Sequence, residues 1–528
     1  MTNTANKQIA RAAGTVMFAI LLGQVAGLVR GILVARAFGA SPELDAFFAA
    51  NRVSETLFLL IAGGALGSAF LPTFAGLLAR AETDSAWRLA SALANTVTLT
   101  LSLLAILLAV FAPQVVRHAL ASGFSEKPEL FALTVSLLRI QLISAVLFGL
   151  GGLIGSILNA HQVFLIPALT PAMYQLGIIF GTLVLAPSMG IYGLAWGVVI
   201  GAAFYLALQL PSLLKLISSL QSPITNYSSL GIHDTNVRQV LLLMGPRLLG
   251  VAVVQLNFWV NTNLASHMDE GSVASLTYGF SLMIMAQAAI AQSIAIAALP
   301  TFSAQYALGK TDEMRASLAA SLRGILMLAL PASIGLMLLR EPLISFLYQR
   351  GEFDAHDVQL TAWALLWYAA GLVGHSIMEI LTRAFYAQQD TKTPVLIGTV
   401  AMALNIIFSL LFSKLFAQIG WFSLGGLALA NSLATALEAA ALFIFMRRRL
   451  NGIEGKTIGD GAWRVTLSAL GMAIGLWFWI QATPSLMRWV VTLGGVALGG
   501  MIYAGALIGL RVPEVQSVIE FARRKLRR

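Results

Sequence analysis

The chain contains no cysteine, which excludes disulfides and thiolate metal sites. It is also poor in charge: Asp, Glu, Lys and Arg make up 11% of its 528 residues, where a soluble protein carries roughly 25%. It has no G-x-x-x-x-G-K-[ST] and no H-E-x-x-H, so neither direct ATP use nor zinc hydrolysis is written in it. The six histidines are scattered, with His267 and His356 in loops. No cleavable leader is read at the N-terminus, where the weakly basic "MTNTANKQIARAAG" runs straight into a full-length apolar stretch.

What is present is apolar sequence: 58% of residues are hydrophobic and the mean hydropathy is +0.82. With lipid as solvent, backbone polar groups must be satisfied inside helices or a closed barrel. The apolar runs are about 20 residues or longer and do not alternate with period two, which selects helices. The fold expected is all-α and integral to a membrane, with fourteen transmembrane helices. These fall near 11–37, 46–79, 86–116, 130–158, 164–186, 189–218, 237–268, 272–305, 313–348, 357–387, 393–417, 421–448, 460–483 and 486–511. Three of them, 46–79, 272–305 and 313–348, exceed one bilayer thickness and call for tilt, kinks or extension into solvent.

The net charge of +10 is explained by orientation rather than by nucleic acid. With both termini in the cytoplasm, twenty of the 33 Lys and Arg residues fall on inner connections and seven on outer ones, in keeping with the positive-inside rule. The C-terminal "RRKLRR" reads as an anchor to anionic headgroups. Six arginines remain: Arg30, Arg52, Arg139, Arg247, Arg323 and Arg383. Arg323 reads as lying near the inner end of its span. Only Glu55, Glu379 and Glu438 are carboxylates at comparable depth.

The chain repeats itself. "AFLPTFAGLLAR" at 69–80 recurs as "AALPTFSAQYAL" at 297–308, and "NAHQVFLIP" at 159–167 as "YAQQDTKTP" at 386–394. Gly123 and Gly351 keep the same spacing, as do "LTVSLL" at 133–138 and "LTAWALL" at 360–366. A near-constant offset over six spans implies two parallel-repeat six-helix bundles, at 1–220 and 221–450, followed by helices 13–14 with a basic tail at 451–528. Such repeats place a substrate between their halves and work by alternating access.

A guanidinium at bilayer depth costs roughly 2.5–3.5 kcal/mol on insertion scales. Arg30 stands in "GQVAGLVRGILVAR" with Gly23 and Gly27 at spacings of seven and three, on one helix face that must meet a neighbour or a wet cavity. Arg52 and Glu55 sit three apart and can pair, and snorkelling from the outer end explains them equally. His375, Glu379 and Arg383 form a polar stripe at successive fours, readable as a structural pair or as cavity lining. Arg247 and Arg139 are readable as anchors near span ends. The excess of arginine over glutamate suits an anion gripped by forked donors, phosphate above all.

These segments resemble a family. "GLVRGILVARAFGASPELDAFFAANRV", "AFLPTFA", "SFLYQRGEFDAHDVQLTAWALLWYAAGL" and "LTRAFYAQQDTKTPV" are similar to the MurJ/MviN lipid II flippases of the MOP exporter superfamily. The resemblance implies two bundles around a cationic cavity. It implies transfer of an undecaprenyl-pyrophosphate-linked peptidoglycan precursor from the inner to the outer leaflet of the bacterial cytoplasmic membrane, with no covalent chemistry. It assigns Arg30 to an essential cavity arginine, Asp45 to the aspartate of "DAFF" and Arg52 to a basic residue of span 2. The chain departs from the family at Gly23-Gln24, Gly31, Phe58-Leu59 and Phe280-Ser281, where members carry charged or Ser-Arg pairs. Arg52, Arg247 and Arg383 are the available replacements, and a modified precursor is the other reading.

The substrate-contact set expected is therefore Arg30, Asp45, Arg52, Glu55, Arg247, Glu379 and Arg383. Some family members use a cation between spans 7, 11 and 12, which places Asn257, Asn405, Asn431 and Thr435 as candidates here. No cofactor is expected, coupling being to Na+ or to the membrane potential. The partners expected are the lipid-linked anion and membrane lipids, with no nucleic acid and a monomeric state. A flippase for another lipid-linked oligosaccharide and a MATE-like exporter are the rival readings.

Overall fold

The computed structural model describes residues 2–60, 69–218, 230–231 and 234–516, with no side-chain description for 2–18, 20, 246, 247 and 249. No strand occurs among the described residues. The chain forms two compact units, Met1–Val273 and Ala274–Arg528.

Unit 1 holds α1 (Thr2–Phe38), α2 (Pro42–Phe58), α3 (Leu71–Ala79), α4 (Thr83–Val110), α5 (Ala112–Val115), α6 (Pro128–Ala160), α7 (Leu165–Phe180), α8 (Ala186–Met189), α9 (Ile191–Ala207), α10 (Leu210–Ser218) and α11 (Thr235–Ala265). Unit 2 holds α12 (Ser272–Gln287, its first two residues in unit 1), α13 (Ser293–Ala307), α14 (Thr311–Leu338), α15 (Arg340–Tyr348), α16 (Ala355–Ala370), α17 (Leu372–Ala387), α18 (Lys392–Gln418), α19 (Leu424–Arg449), α20 (Gly455–Ala482) and α21 (Arg488–Gly509). Among the described residues 11 helices are long and apolar enough to span a membrane, or up to 13 when each bent pair is taken as one span. The expected span 46–79 runs through 61–68, outside the described residues.

Long apolar stretches resolve as sterics and hydrogen bonding require. The segment 272–307 passes through a π-helical turn at Ala288–Gln292. The segment 313–348 breaks at Leu339 into a 28-residue span and a short second helix. Residues 355–387 bend by 44° between α16 and α17, at Gly371. Starts are capped by local chemistry: Ser41 accepts the Leu44 amide at 3.3 Å ahead of Pro42, and Asp354 and Asp357 form a reciprocal capping box.

Left-handed turn residues recur along the chain. Gly39 and Gly271, Ala81 and Gly309, Gln162 and Gln389, and Gly190 and Gly420 all have positive φ and stand 227–232 positions apart. All but Gly271, which stands just before α12, follow the end of a helix in a backbone conformation that stops it.

Within unit 1, α7 and α9 meet backbone to backbone. A Cβ on Gly177 would lie 2.1 Å from the Gly201 Cα, and one on Gly181 2.5 Å from the Gly197 Cα. Glycines spaced by four give van der Waals contact where lipid supplies no hydrophobic drive between helices. In unit 2, Phe302, Leu318, Leu322, Ile325, Ile380, Leu381, Phe385 and Leu442 form one buried cluster across α13, α14, α17 and α19. A second cluster, with Val465, Met472, Leu476 and Tyr503, packs α20 and α21 on α14. The Tyr503 hydroxyl donates to the Met327 carbonyl at 2.7 Å.

Candidate functional site

In unit 1 the glycine face of α1 lies against α7: a Cβ on Gly23 would be 3.7 Å from Pro171 Cβ, and one on Gly27 3.7 Å from Gln175 Nε2. This places Arg30, one turn further along, half-buried beside the same helix. Among the described residues it has neither a hydrogen-bond nor an ion-pair partner, and it lies within electrostatic reach of the Tyr174 hydroxyl. The Glu55 carboxylate is within reach of the same hydroxyl. Tyr174 is fixed from behind by an edge-on contact with Phe148, 5.0 Å between centroids, which in turn contacts Phe58 at 4.8 Å.

Arg52, on α2, donates from Nη1 to Glu55 Oε2 at 3.1 Å, and its guanidinium lies 5.0 Å from the centre of the Phe258 ring of α11. Its buried Nε has no partner among the described residues. Next to it, Thr56 accepts from Trp259 Nε1 at 2.9 Å and donates to the Arg52 carbonyl at 2.7 Å, with Gln255 Oε1 at 3.3 Å. Arg52 and Glu55 are thus paired on α2 against the Phe258 ring, while the charges of Arg30 on α1 and of Glu55 both act at Tyr174 on α7.

Asp45 has a different environment. It is 3% exposed, and its Oδ2 accepts the Gly271 amide at 2.8 Å. Gly271 has φ +81, and a Cβ there would lie 2.2 Å from the Ala40 carbonyl oxygen. Around this contact the Gly123 amide donates to Ser266 Oγ at 3.1 Å, His267 Nε2 lies 2.9 Å from Ser122 Oγ, and Lys127 pairs with Glu270. The turn after α11 is therefore fastened to the start of α2 and to the connection ahead of α6.

In unit 2 the polar stripe of α17 is divided between partners. His375 is buried and donates from Nε2 to Asn431 Oδ1 at 3.1 Å. Glu379 and Arg383 pair at 2.9 Å, and the buried Arg383 Nε has no partner among the described residues. Glu438 is buried beside Gly398. Of the cation candidates, Asn257 belongs to unit 1, where its Oδ1 accepts from Asn261 at 3.1 Å. Asn405, which accepts from Ser409 at 3.3 Å, Asn431 and the buried Thr435 belong to unit 2. The Arg247 side chain lies outside the described residues. Arg139 donates to the Ala109 carbonyl at 3.0 Å. Arg323 pairs with Glu514.

Where α17 turns into α18, Asp390 accepts from the Thr393 amide at 3.0 Å and hydroxyl at 2.7 Å and pairs with Arg449, whose guanidinium lies 5.9 Å from the Phe385 ring centre. Burial opposes its charged form. The hydrogen bonds from Thr393 and Arg449, with the Arg449 charge, outweigh burial and hold the carboxyl at about 2.

The sequence reading missed Tyr174 and Phe258. The signal for Tyr174 was present: Tyr174 and Gln175 are an adjacent polar pair in the apolar "LIPALTPAMYQLGIIF". Phe258 carries no such mark, because its partner Arg52 is 206 positions away.

Helices of spanning length that carry arginines within their apolar stretches define a polytopic membrane protein. The fold is that of the MOP exporters. An inward-facing multidrug transporter of the MATE family, 16% identical, superposes with a TM-score of 0.65 over 83% of this chain and 98% of its own. A solved "Lipid II flippase MurJ, inward closed conformation" reaches 0.78 at 25% identity, over 94% of this chain and 98% of that one. The sequence model of the family described as "Lipid II flippase MurJ" matches residues 34–493. The lipid II flippase MurJ of Burkholderia cenocepacia is 33% identical over 83% of this chain and 84% of its own length. The probable lipid II flippase MurJ of Vibrio cholerae is 28% identical over 98% and 99%. The chain belongs to the lipid II flippase MurJ family.

Proposed function

We propose that this chain carries lipid II from the inner to the outer leaflet of the bacterial cytoplasmic membrane. The observation that carries the reading is the likeness to a lipid II flippase over 94% of the chain. The chemistry of unit 1 supports it. Among the described residues Arg30 has no hydrogen-bond or ion-pair partner and the Arg52 Nε is unpaired, and guanidinium forks bind phosphate oxygens with charge-assisted bonds. In this reading Arg30 and Arg52 take up the diphosphate, and Arg247 and the Glu379–Arg383 pair are separate candidates for substrate contact. The polyprenyl tail stays in lipid.

The recurring left-handed turns support a duplicated six-span design, extended by two spans to fourteen, in which rocking of like-oriented bundles exposes the site alternately to each side. Both termini then face the cytoplasm, where the surplus of Lys and Arg meets anionic lipid. The carrier works as a monomer without nucleic acid. The membrane potential biases movement of its charged groups, at about 2.3 kcal/mol per charge per 100 mV. Coupling to Na+, with Asn257 of unit 1 and Asn405, Asn431 and Thr435 of unit 2 as separate candidate ligands, is the alternative.

The test is growth of bacteria depleted of their own flippase, together with protease or enzyme access to lipid II at the outer surface. The unaltered chain restores both and Arg30→Ala restores neither. Full rescue by Arg30→Ala removes the arginine from the mechanism. Failure of the unaltered chain, with transport of a different lipid-linked glycan in vesicles, replaces lipid II as the cargo.

A further inference from the structure

A carrier must release what it binds. Two bare guanidiniums in a low-dielectric wall would hold a diphosphate tightly, and an interaction equally strong in the loaded states on both sides of the membrane slows release. An unloaded site with two unneutralised charges is also costly to keep away from water. Unit 1 contains a group that answers both problems.

Glu55 bonds Arg52 through one oxygen and one nitrogen, at 3.1 Å. The bidentate fork is not formed, and Arg52 Nε remains unused. The Phe258 ring 5.0 Å from the guanidinium supports the cation independently of the carboxylate. The two partners differ in access: the Glu55 side chain is 44% exposed and that of Arg52 20%. The carboxylate is thus free to swing away while the guanidinium stays in place. The charges of Glu55 and Arg30 both act at the Tyr174 hydroxyl.

Resting on the lipid II reading for its natural cargo, we propose that Glu55 is an internal counter-anion that occupies the Arg52 guanidinium in the unloaded carrier and is displaced by the substrate's diphosphate. Loading then exchanges one anion for another. On release, Glu55 returns to Arg52 and competes with rebinding, which sets affinity low enough for turnover. Phe258 holds the Arg52 guanidinium in place while the carboxylate moves.

The test uses the purified full chain in nanodiscs with inorganic pyrophosphate as probe, so that the lipid does not enter the binding readout. Glu55→Gln keeps the side chain's size and removes its charge, and its Kd falls about tenfold. Glu55→Asp, which keeps the charge, gives less than a third of that gain. In Arg52→Gln the effect of Glu55→Gln is lost, as two residues competing through one contact require. In vesicles Glu55→Gln slows lipid II transfer even though it binds pyrophosphate more tightly. An unchanged or raised Kd in a Glu55→Gln protein of normal thermal stability overturns the proposal, as does absence of pyrophosphate binding in both chains. If the unaltered chain fails to move lipid II and the tenfold gain persists, the cargo assignment fails and the counter-anion stands.

Discussion

Replacing Asp45 by alanine distinguishes a substrate contact from a fastening. The Asp45 carboxylate is 3% exposed and accepts the buried Gly271 amide at 2.8 Å. Hydrogen bonds to charged groups contribute about 1.5–3 kcal/mol, and leaving a buried partner unsatisfied costs about 1–3 kcal/mol. These ranges describe the same loss from two sides, so the expected destabilisation is about 2 kcal/mol, a roughly 30-fold change in the folded-to-unfolded ratio. Asp45→Asn retains an acceptor oxygen and loses only the charge, which brings the expected loss to about half of that. The measurement is unfolding of the purified chain in detergent, read with pyrophosphate binding on the same samples. An Asp45→Ala protein as stable as the unaltered one, with pyrophosphate binding abolished, would refute the fastening role and return Asp45 to the cargo site.

Gly271→Ala attacks the same joint from the other side, through its positive φ and the 2.2 Å approach to the Ala40 carbonyl oxygen, and is expected to lower thermal stability at least as much as Asp45→Ala. Gly201→Val forces apart the α7–α9 seam, where the added carbon would stand 2.5 Å from the Tyr174 carbonyl oxygen; a loss of about 1–3 kcal/mol in an unfolding titration is expected, with weaker pyrophosphate binding because Tyr174 moves. Asp390, held at about 2, is depressed below its unfolded value, so its contribution is intact above about pH 4 and is lost as pH falls through 2; Asp390→Asn should flatten stability over that acid window and lower it at neutral pH. Arg323→Met, which leaves Glu514 unpaired at the α14–α20 contact, should loosen the last residues of the described chain, read as faster amide exchange at 511–516.

Spans and turns were legible because they follow from local physics. Eighteen uncharged residues before Arg30 make a helix in lipid wherever they occur. The paired sequences at 159–167 and 386–394 reappear as paired left-handed residues at Gln162 and Gln389, since a turn's backbone is set by its own few residues. Local pairings were equally readable: Arg52 with Glu55 and Glu379 with Arg383 lie three and four positions apart and are bonded. What sequence spacing does not encode is the identity of a distant neighbour. Asp45 meets Gly271 and Arg52 meets Phe258 across more than 200 positions, so nothing in the spacing around "DAFF" announces the Gly271 amide. The segment 61–68, glycine-rich and inside an apolar run, lies outside the described residues, and so does the Arg247 side chain.

The joint at Gly271 has a practical corollary for anyone who divides this chain. Residues 219–229 look like the natural place to cut, since a long apolar series stops there and another begins. Yet α11 is bolted to unit 1 through Ser266, His267, Glu270 and Gly271. Fragments made at that position would each carry a share of the same folded body. They should recover one another after separate synthesis, and neither should behave as a half-carrier.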